Sequence, residues 1–306
     1  MINKKAFSIV IGVLLTGFII GTFFDYQIST ALFSKNNGFG LFMAAVGEWP
    51  GYAMLSFFGG FTFMLAFKYY RKNIYGIGLM VGSVIAFGCA AYFLGKAVFS
   101  VNAYNMPEKT LTLGLLIGVL AMIPPLLAGG YFGFKAINKD LWKISFSVLL
   151  TIAVAIGIVT IVKHIPHRPR FRLVTSNSEV DFYPWYIINK DYDHFVKDLM
   201  IGKEEFKSFP SGHIGISAAM FLSVYIPTLL EMKKPEKIRN IFFYVSCAYI
   251  LLLAYTRILV GAHYLSDVCG GGIITISLDL VLVFILDKYT KQFETNEENK
   301  EKSLSE

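Results

Sequence analysis

The sequence predicts an all-α protein, a polytopic transmembrane helical bundle of about eight membrane helices. Three observations lead there. Of 306 residues, 55% are hydrophobic and only 16% are charged, against about 25% charged in a soluble domain. The apolar residues come in blocks at 6–24, 51–67, 74–95, 111–134, 144–162, 212–230, 240–256 and 266–286, each near the roughly 20 residues that cross about 30 Å of hydrocarbon. The basic residues gather between the blocks. In lipid a helix satisfies its own backbone, so each block reads as a helix.

The first block follows Lys4 and Lys5, and no small-residue cleavage site precedes Phe23, Phe24 and Asp25. It therefore reads as an uncleaved helix rather than a signal peptide. Residues 25–50 are mildly amphipathic, with Ile28, Leu32 and Phe33 spaced for one face. They read either as a segment lying flat on the membrane or as a plain loop. Lys68, Arg71 and Lys72 follow the second block, Lys135, Lys139 and Lys143 separate the fourth and fifth, Lys233, Lys234, Lys237 and Arg239 separate the sixth and seventh, and Lys288 and Lys291 follow the eighth. If every block crosses, these clusters share one side with both termini, and that side is expected to be cytoplasmic. The opposite side has Lys35, Lys96 and Lys109 in its first two connections. A net charge of +7 thus reads as membrane topology, with no nucleic-acid partner. Residues 1–290 form one domain, and the polar tail 291–306 is expected to be disordered. Cys89, Cys247 and Cys269 show no metal-ligand spacing and are expected to be buried structural thiols.

Three patches carry chemistry, all expected on the extracytoplasmic side. The first runs from Lys163 through His164, His167, Arg168 and Pro169 to Arg170; the second is Pro210-Ser211-Gly212-His213; the third is Arg257, His263 and Asp267. Cations at helix ends commonly anchor lipid headgroups, and a lone helical histidine is more often structural. Here the cations keep company with two histidines. His263 and Asp267 are i,i+4 neighbours, so they share a helix face, and an aspartate taking the Nδ1 proton leaves Nε2 free as base or nucleophile. A Ser-Gly turn entering a helix offers backbone N–H groups and the positive dipole end to an anion. Together these groups suit phosphoryl transfer. The aromatic loop 171–209, with Phe182, Tyr183, Trp185, Tyr186 and Tyr192, reads as interface anchoring or as a cap over the site.

The three patches resemble the signature of the type 2 phosphatidic acid phosphatase superfamily, the lipid phosphate phosphatases: Lys-x6-Arg-Pro, then Pro-Ser-Gly-His, then Ser-Arg-x5-His-x3-Asp. Lys163 and Arg170 match the first motif, Pro210 through His213 the second, and Arg257, His263 and Asp267 the third. Arg168 fits a further arginine that many bacterial members carry. Phe171 and Thr256 depart from the family's proline and serine. The resemblance covers roughly the C-terminal half and implies a six-helix core, so two helices here are an addition.

The resemblance further implies roles. His263 attacks phosphorus, Asp267 orients it, and His213 is the acid and then the base. Lys163, Arg170, Arg257, Ser211, Gly212 and Arg168 hold the phosphate. No metal or cofactor is implied. Neutral His263 and protonated His213 imply a bell-shaped pH profile. His164 and His167 read as interface residues. The expected substrate is a membrane lipid phosphate, either phosphatidate, phosphatidylglycerophosphate or polyprenyl pyrophosphate. A lipid phosphotransferase using the same phosphohistidine is the alternative, with a non-enzymatic transporter behind it. Related haloperoxidases are soluble, which the apolar blocks exclude. Asp279, inside the last block, reads as an acid bonded to a neighbouring helix's Ser or Thr.

Overall fold

The computed structural model describes residues 3–98, 111–232 and 235–305, and these contain helices and turns with no strand. The helices are α1 (Lys4–Leu32), α2 (Gly38–Val46), α3 (Trp49–Tyr70), α4 (Ile74–Val98), α5 (Leu111–Lys135), α6 (Trp142–Lys163), α7 (Phe171–Ser176), α8 (Tyr192–Lys197), α9 (Gly212–Ser217), α10 (Ile226–Leu229), α11 (Glu236–Leu259) and α12 (Leu265–Ser305). A tighter 3-10 stretch, Ala218–Tyr225, joins α9 to α10. Among the described residues, eight helical segments are long and apolar enough to cross a membrane, and they coincide with the eight apolar blocks. Lys109, Lys233 and Lys234 lie outside the described residues.

Lipid tails are as apolar as leucine, so helices in a membrane associate through close packing rather than through expulsion of water. Glycines supply that closeness where α3 meets α5. A Cβ on Gly60 would stand 2.1 Å from the Leu126 carbonyl, and one on Gly129 would stand 1.9 Å from that of Phe57. The helix α3, whose first turn reaches the functional residues, is the most enclosed part of the N-terminal half, with Phe58, Phe61 and Leu65 fully buried.

The connections hold the bundle at both ends. At one end Lys4 pairs with Asp287 at 2.9 Å, Lys68 donates to the carbonyls of Phe134 and Ala136, and Glu231 accepts from the amides of Ile137 and Asn138. At the other end Ser34 N–H donates to the Leu259 carbonyl, Arg172 N–H to Gly261, and Ser211 N–H to Asp267. All three sequence patches lie at this second end. Gly261 has φ +64°, and a Cβ there would press on Phe33 and on the Arg172 amide, so the turn between α11 and α12 requires glycine.

Residues 25–50 are largely helical rather than a plain loop. α1 continues to Leu32, which carries Asp25 into the bundle, and α2 then folds back against α11. Ile28 and Leu32 pack on the hydrophobic core, so their common face meets protein rather than headgroups. The last helix continues to Ser305, through the stretch expected to be an unstructured tail. Its Lys, Glu and Gln residues are good helix formers. Of the three thiols, Cys269 is buried, Cys247 is partly so and Cys89 is exposed; Cys89 sits on an outward face of α4, so the expectation of burial fails there.

Candidate active site

Lys163 is the last residue of α6. Its ammonium lies over Gly212, where an added Cβ would come within 2.9 Å of Nζ. The absent side chain therefore lets a cation rest against the start of α9. Ser211 caps that helix, its hydroxyl accepting from the Ile214 amide at 3.4 Å, and is itself fully buried. Arg170 precedes α7, donating from Nε to the Glu204 carbonyl at 3.0 Å and from Nη1 to the Ala262 carbonyl at 2.7 Å. Phe171 stands where the family has proline, yet it fixes Arg170 by another means. It is buried edge-on against Phe33, Tyr26 and Tyr264.

Lys163, Arg170, Arg257 and His213 line one cavity of about 330 Å³, together with Glu48 and Tyr52 of α3 and its flank, and with Glu204. His263 lies immediately behind Arg170, whose Nη1 is 3.4 Å from His263 Nε2. The rings of His213 and His263 have centroids 6.3 Å apart and are inclined at 62°. Of the nine candidate site residues, the structure thus gathers Lys163, Arg170, Arg257 and His213 on one cavity, with His263 buried behind Arg170 and the Gly212 backbone beneath Lys163.

His263 is fully buried. Sequence reasoning gave its Nδ1 proton to Asp267; the structure gives it to the Ser208 carbonyl, 2.7 Å away, while Asp267 Oδ2 stands at 3.7 Å. The consequence is the same tautomer: Nδ1 donates and Nε2 keeps its lone pair, 3.4 Å from Arg170 Nη1. Burial, with repulsion from Arg170 and Lys163, outweighs the help of Asp267 and pulls the His263 pKa down to about 3. The ring is therefore neutral across the physiological range. Burial and Arg172 lower Arg170 to about 10, which leaves it charged at neutral pH. For Glu204, burial works upward, but Lys207, Arg170 and Lys163 outweigh it and hold the carboxyl below its usual value.

Asp267 is instead committed to Arg168. One Nη of Arg168 donates to Asp267 Oδ1 at 2.5 Å and to Ser266 Oγ at 2.9 Å, the other to Asp25 Oδ2 at 2.8 Å, and Nε to the Tyr183 carbonyl at 2.9 Å. Tyr264 covers its face at 4.0 Å. Arg168 is fully buried, and Asp267 and Asp25 outweigh its desolvation to hold its pKa above the ordinary arginine value. Its expected place among the phosphate ligands is not where the structure puts it: its donors are spent on the aspartates beneath the site. Asp267 also accepts from Ser208 Oγ and from the Tyr264 amide, so it ties the segments carrying His213 and His263 together.

Sequence reasoning missed Asp25, Glu48 and Ser208. An acid near the end of an apolar helix is a functional candidate by the same rule that drew attention to Asp279, and that signal was present for Asp25 and Glu48. Asp279 itself is fully buried, and among the described residues neither carboxylate oxygen has a hydrogen-bond partner; the expected Ser or Thr bond is not formed. The rings of the aromatic loop do not line the cavity. Trp185 stacks on Phe209 at 5.2 Å and Phe182 packs on Tyr264, which clamps the loop onto the motifs; only Tyr186 of the five remains largely exposed. His164 is exposed and bonded to Thr160, and His167 stacks on Tyr192; neither lines the cavity.

The eight apolar helices mark a multi-pass membrane protein, one end of which holds a cavity lined by Lys163, Arg170, Arg257 and His213, with His263 beside it. Residues 144–291 match the sequence model of the PAP2 superfamily; members are phosphatases, which supports phosphatase activity on phosphate esters. No curated protein and no solved structure is matched by the chain.

Proposed function

We propose that the protein is a metal-independent phosphatase that removes phosphate from a membrane lipid monophosphate or diphosphate through a phosphohistidine on His263. The observation that carries this reading is the pair of imidazoles 6.3 Å apart, one on and one beside a cavity walled by Lys163, Arg170 and Arg257. That separation leaves room for one phosphorus between them. In the first step the His263 Nε2 lone pair forms a bond to phosphorus as the bond to the leaving oxygen breaks, and His213 gives that oxygen its proton. In the second, water attacks phosphorus, its proton passes to His213, and the P–N bond breaks to free His263 and inorganic phosphate. The three cations and the Gly212 amide hold the phosphate oxygens as charge builds on them, and Arg170 moves from His263 Nε2 onto the phosphate when substrate enters.

Lipid is the substrate class because the cavity lies at the ends of membrane-crossing helices, where a headgroup sits without leaving the bilayer. The basic clusters at the opposite end favour a cytoplasmic location for that end and for both termini, with the site extracytoplasmic, in a cell membrane. Transfer to a second lipid instead of water is the other reading, since both acceptors meet the same phosphohistidine.

Purified protein is tested for free phosphate against phosphatidate, phosphatidylglycerophosphate and polyprenyl pyrophosphate, with His263→Ala as control. Phosphate release lost in the variant is the expected result. Undiminished release by His263→Ala rejects the mechanism, and a phosphorylated lipid product without free phosphate selects the transferase.

A further inference from the structure

His213 has an acceptor on each nitrogen. Its Nδ1 is 3.2 Å from Glu48 Oε1, and its Nε2 is 3.1 Å from the Ala44 carbonyl. A neutral imidazole donates from one nitrogen only, so with Glu48 ionised both contacts are satisfied by the imidazolium. That is the form an acid needs before it protonates a leaving group. Glu48 stands directly before α3, is largely buried, and lies outside the matched residues 144–291. Its carboxylate also accepts from Tyr52, one helical turn on, so its orientation is fixed from a second side.

The charges facing His213 explain why a carboxylate is needed. Lys163 of α6, Arg257 of α11, Arg170 and Glu204 line the cavity with His213, and the ring of His263 stands 6.3 Å away, so cations outnumber carboxylates around the ring. Among the described residues, Glu48 is the carboxylate at ion-pair distance from His213.

We propose that Glu48 is the positioning residue for His213: it fixes the ring through Nδ1 and keeps it charged beside the phosphate-binding cations. When substrate enters, Nε2 exchanges the Ala44 carbonyl for the leaving oxygen and transfers its proton there, while Nδ1–H stays on Glu48. In the second half-reaction Nε2 takes a proton from the attacking water, and the carboxylate stabilises the imidazolium that forms. The helices ahead of the matched region thereby supply a working part of the site.

The proposal rests on the phosphatase reading, and leaving groups separate the two. p-Nitrophenyl phosphate has a good leaving group that needs little protonation, whereas an alkyl lipid phosphate depends on the acid. Glu48→Gln is expected to lower kcat/KM for the alkyl lipid phosphate by roughly 10²-fold, the usual worth of a positioned acid, with p-nitrophenyl phosphate changed by less than about threefold. The basic limb of the lipid profile shifts to lower pH, because His213 loses its proton more readily. Glu48→Asp is expected to fold and to recover part of the lipid activity and of the pH shift. Equal losses on both substrates with an unmoved basic limb in both variants overturn the role of Glu48. A wild-type protein inactive on both substrates overturns the phosphatase reading, and the Glu48 proposal with it.

Discussion

Arg168 lies within a signature motif, yet its geometry makes it a structural cation, and the two possibilities separate cleanly. Consider Arg168→Met, which keeps much of the volume and removes the guanidinium. Two carboxylates, Asp25 and Asp267, are then left buried with no cation, and the Tyr183 carbonyl and Ser266 hydroxyl lose a donor. Breaking a buried ion pair from one side costs about 3–5 kcal/mol, a large share of the roughly 5–15 kcal/mol that holds a protein folded. The expected loss is therefore about 3–5 kcal/mol, read from reversible unfolding of purified protein in mixed detergent. Adding Asp25→Asn is expected to return part of it, because one uncompensated charge is removed. In the folded fraction kcat falls, since Asp267 no longer fixes Ser208, while inhibition by inorganic phosphate stays within about threefold of wild type. A variant of wild-type stability whose phosphate inhibition weakens tenfold or more would refute this account and restore Arg168 to the phosphate ligands.

Three further expectations concern the site. His263 is held near pH 3 in the folded protein against an ordinary value of 6.5, so the unfolded chain binds more protons between those limits. Its stabilising contribution is complete above pH 6.5 and is lost as pH falls toward 3; His263→Gln should flatten that part of the stability curve, and an unchanged curve would contradict it. Gly212→Ala places a methyl against the Lys163 ammonium, the movable end of a long side chain; the fold should survive while KM rises about 10-fold or more, the worth of one charge-assisted hydrogen bond, as steady-state kinetics will show. Among the described residues no group of three His, Cys, Asp or Glu side chains is placed to hold a metal ion, and nitrogen cations line the cavity; phosphate release should therefore persist after dialysis against chelator, and loss restored by a divalent cation would contradict the proposed chemistry.

The eight helices were legible because membrane length and apolar composition leave few alternatives. The site was legible where spacing carries geometry. His263 and Asp267 share the start of α12, and the glycine after Ser211 marks the close approach of Lys163. What stayed hidden are contacts between residues far apart in the chain. Asp25 meets Arg168 across 143 positions and Ala44 meets His213 across 169, and neither has a local pattern to announce it. Arg168 and Arg170 are one residue apart and look equivalent in sequence. The extended backbone at Arg170, just before α7, helps to send them opposite ways, one into the aspartates and one into the cavity. Ser208 was invisible for another reason: its backbone carbonyl does the orienting, and any residue has one.

The two aspartates around Arg168 and the glutamate on His213 solve one electrostatic problem in different ways. A site built to hold phosphate must be strongly cationic, and that field opposes a proton on either histidine. For His263 the opposition is useful, because a nucleophile must be neutral. On the proposed mechanism Asp267, at 3.7 Å, favours positive charge on the ring once phosphorus has bonded to it, while burial, with Arg170 and Lys163, keeps the resting ring from being protonated. For His213 the opposition is harmful, because an acid must be charged, and there Glu48 contacts the ring with no arginine between them. On the proposed mechanism two chemically identical side chains thus take opposite protonation states, and their carboxylates differ in whether a cation shares them; Asp25 and Glu48, which belong to these two networks, both precede the motif-bearing half.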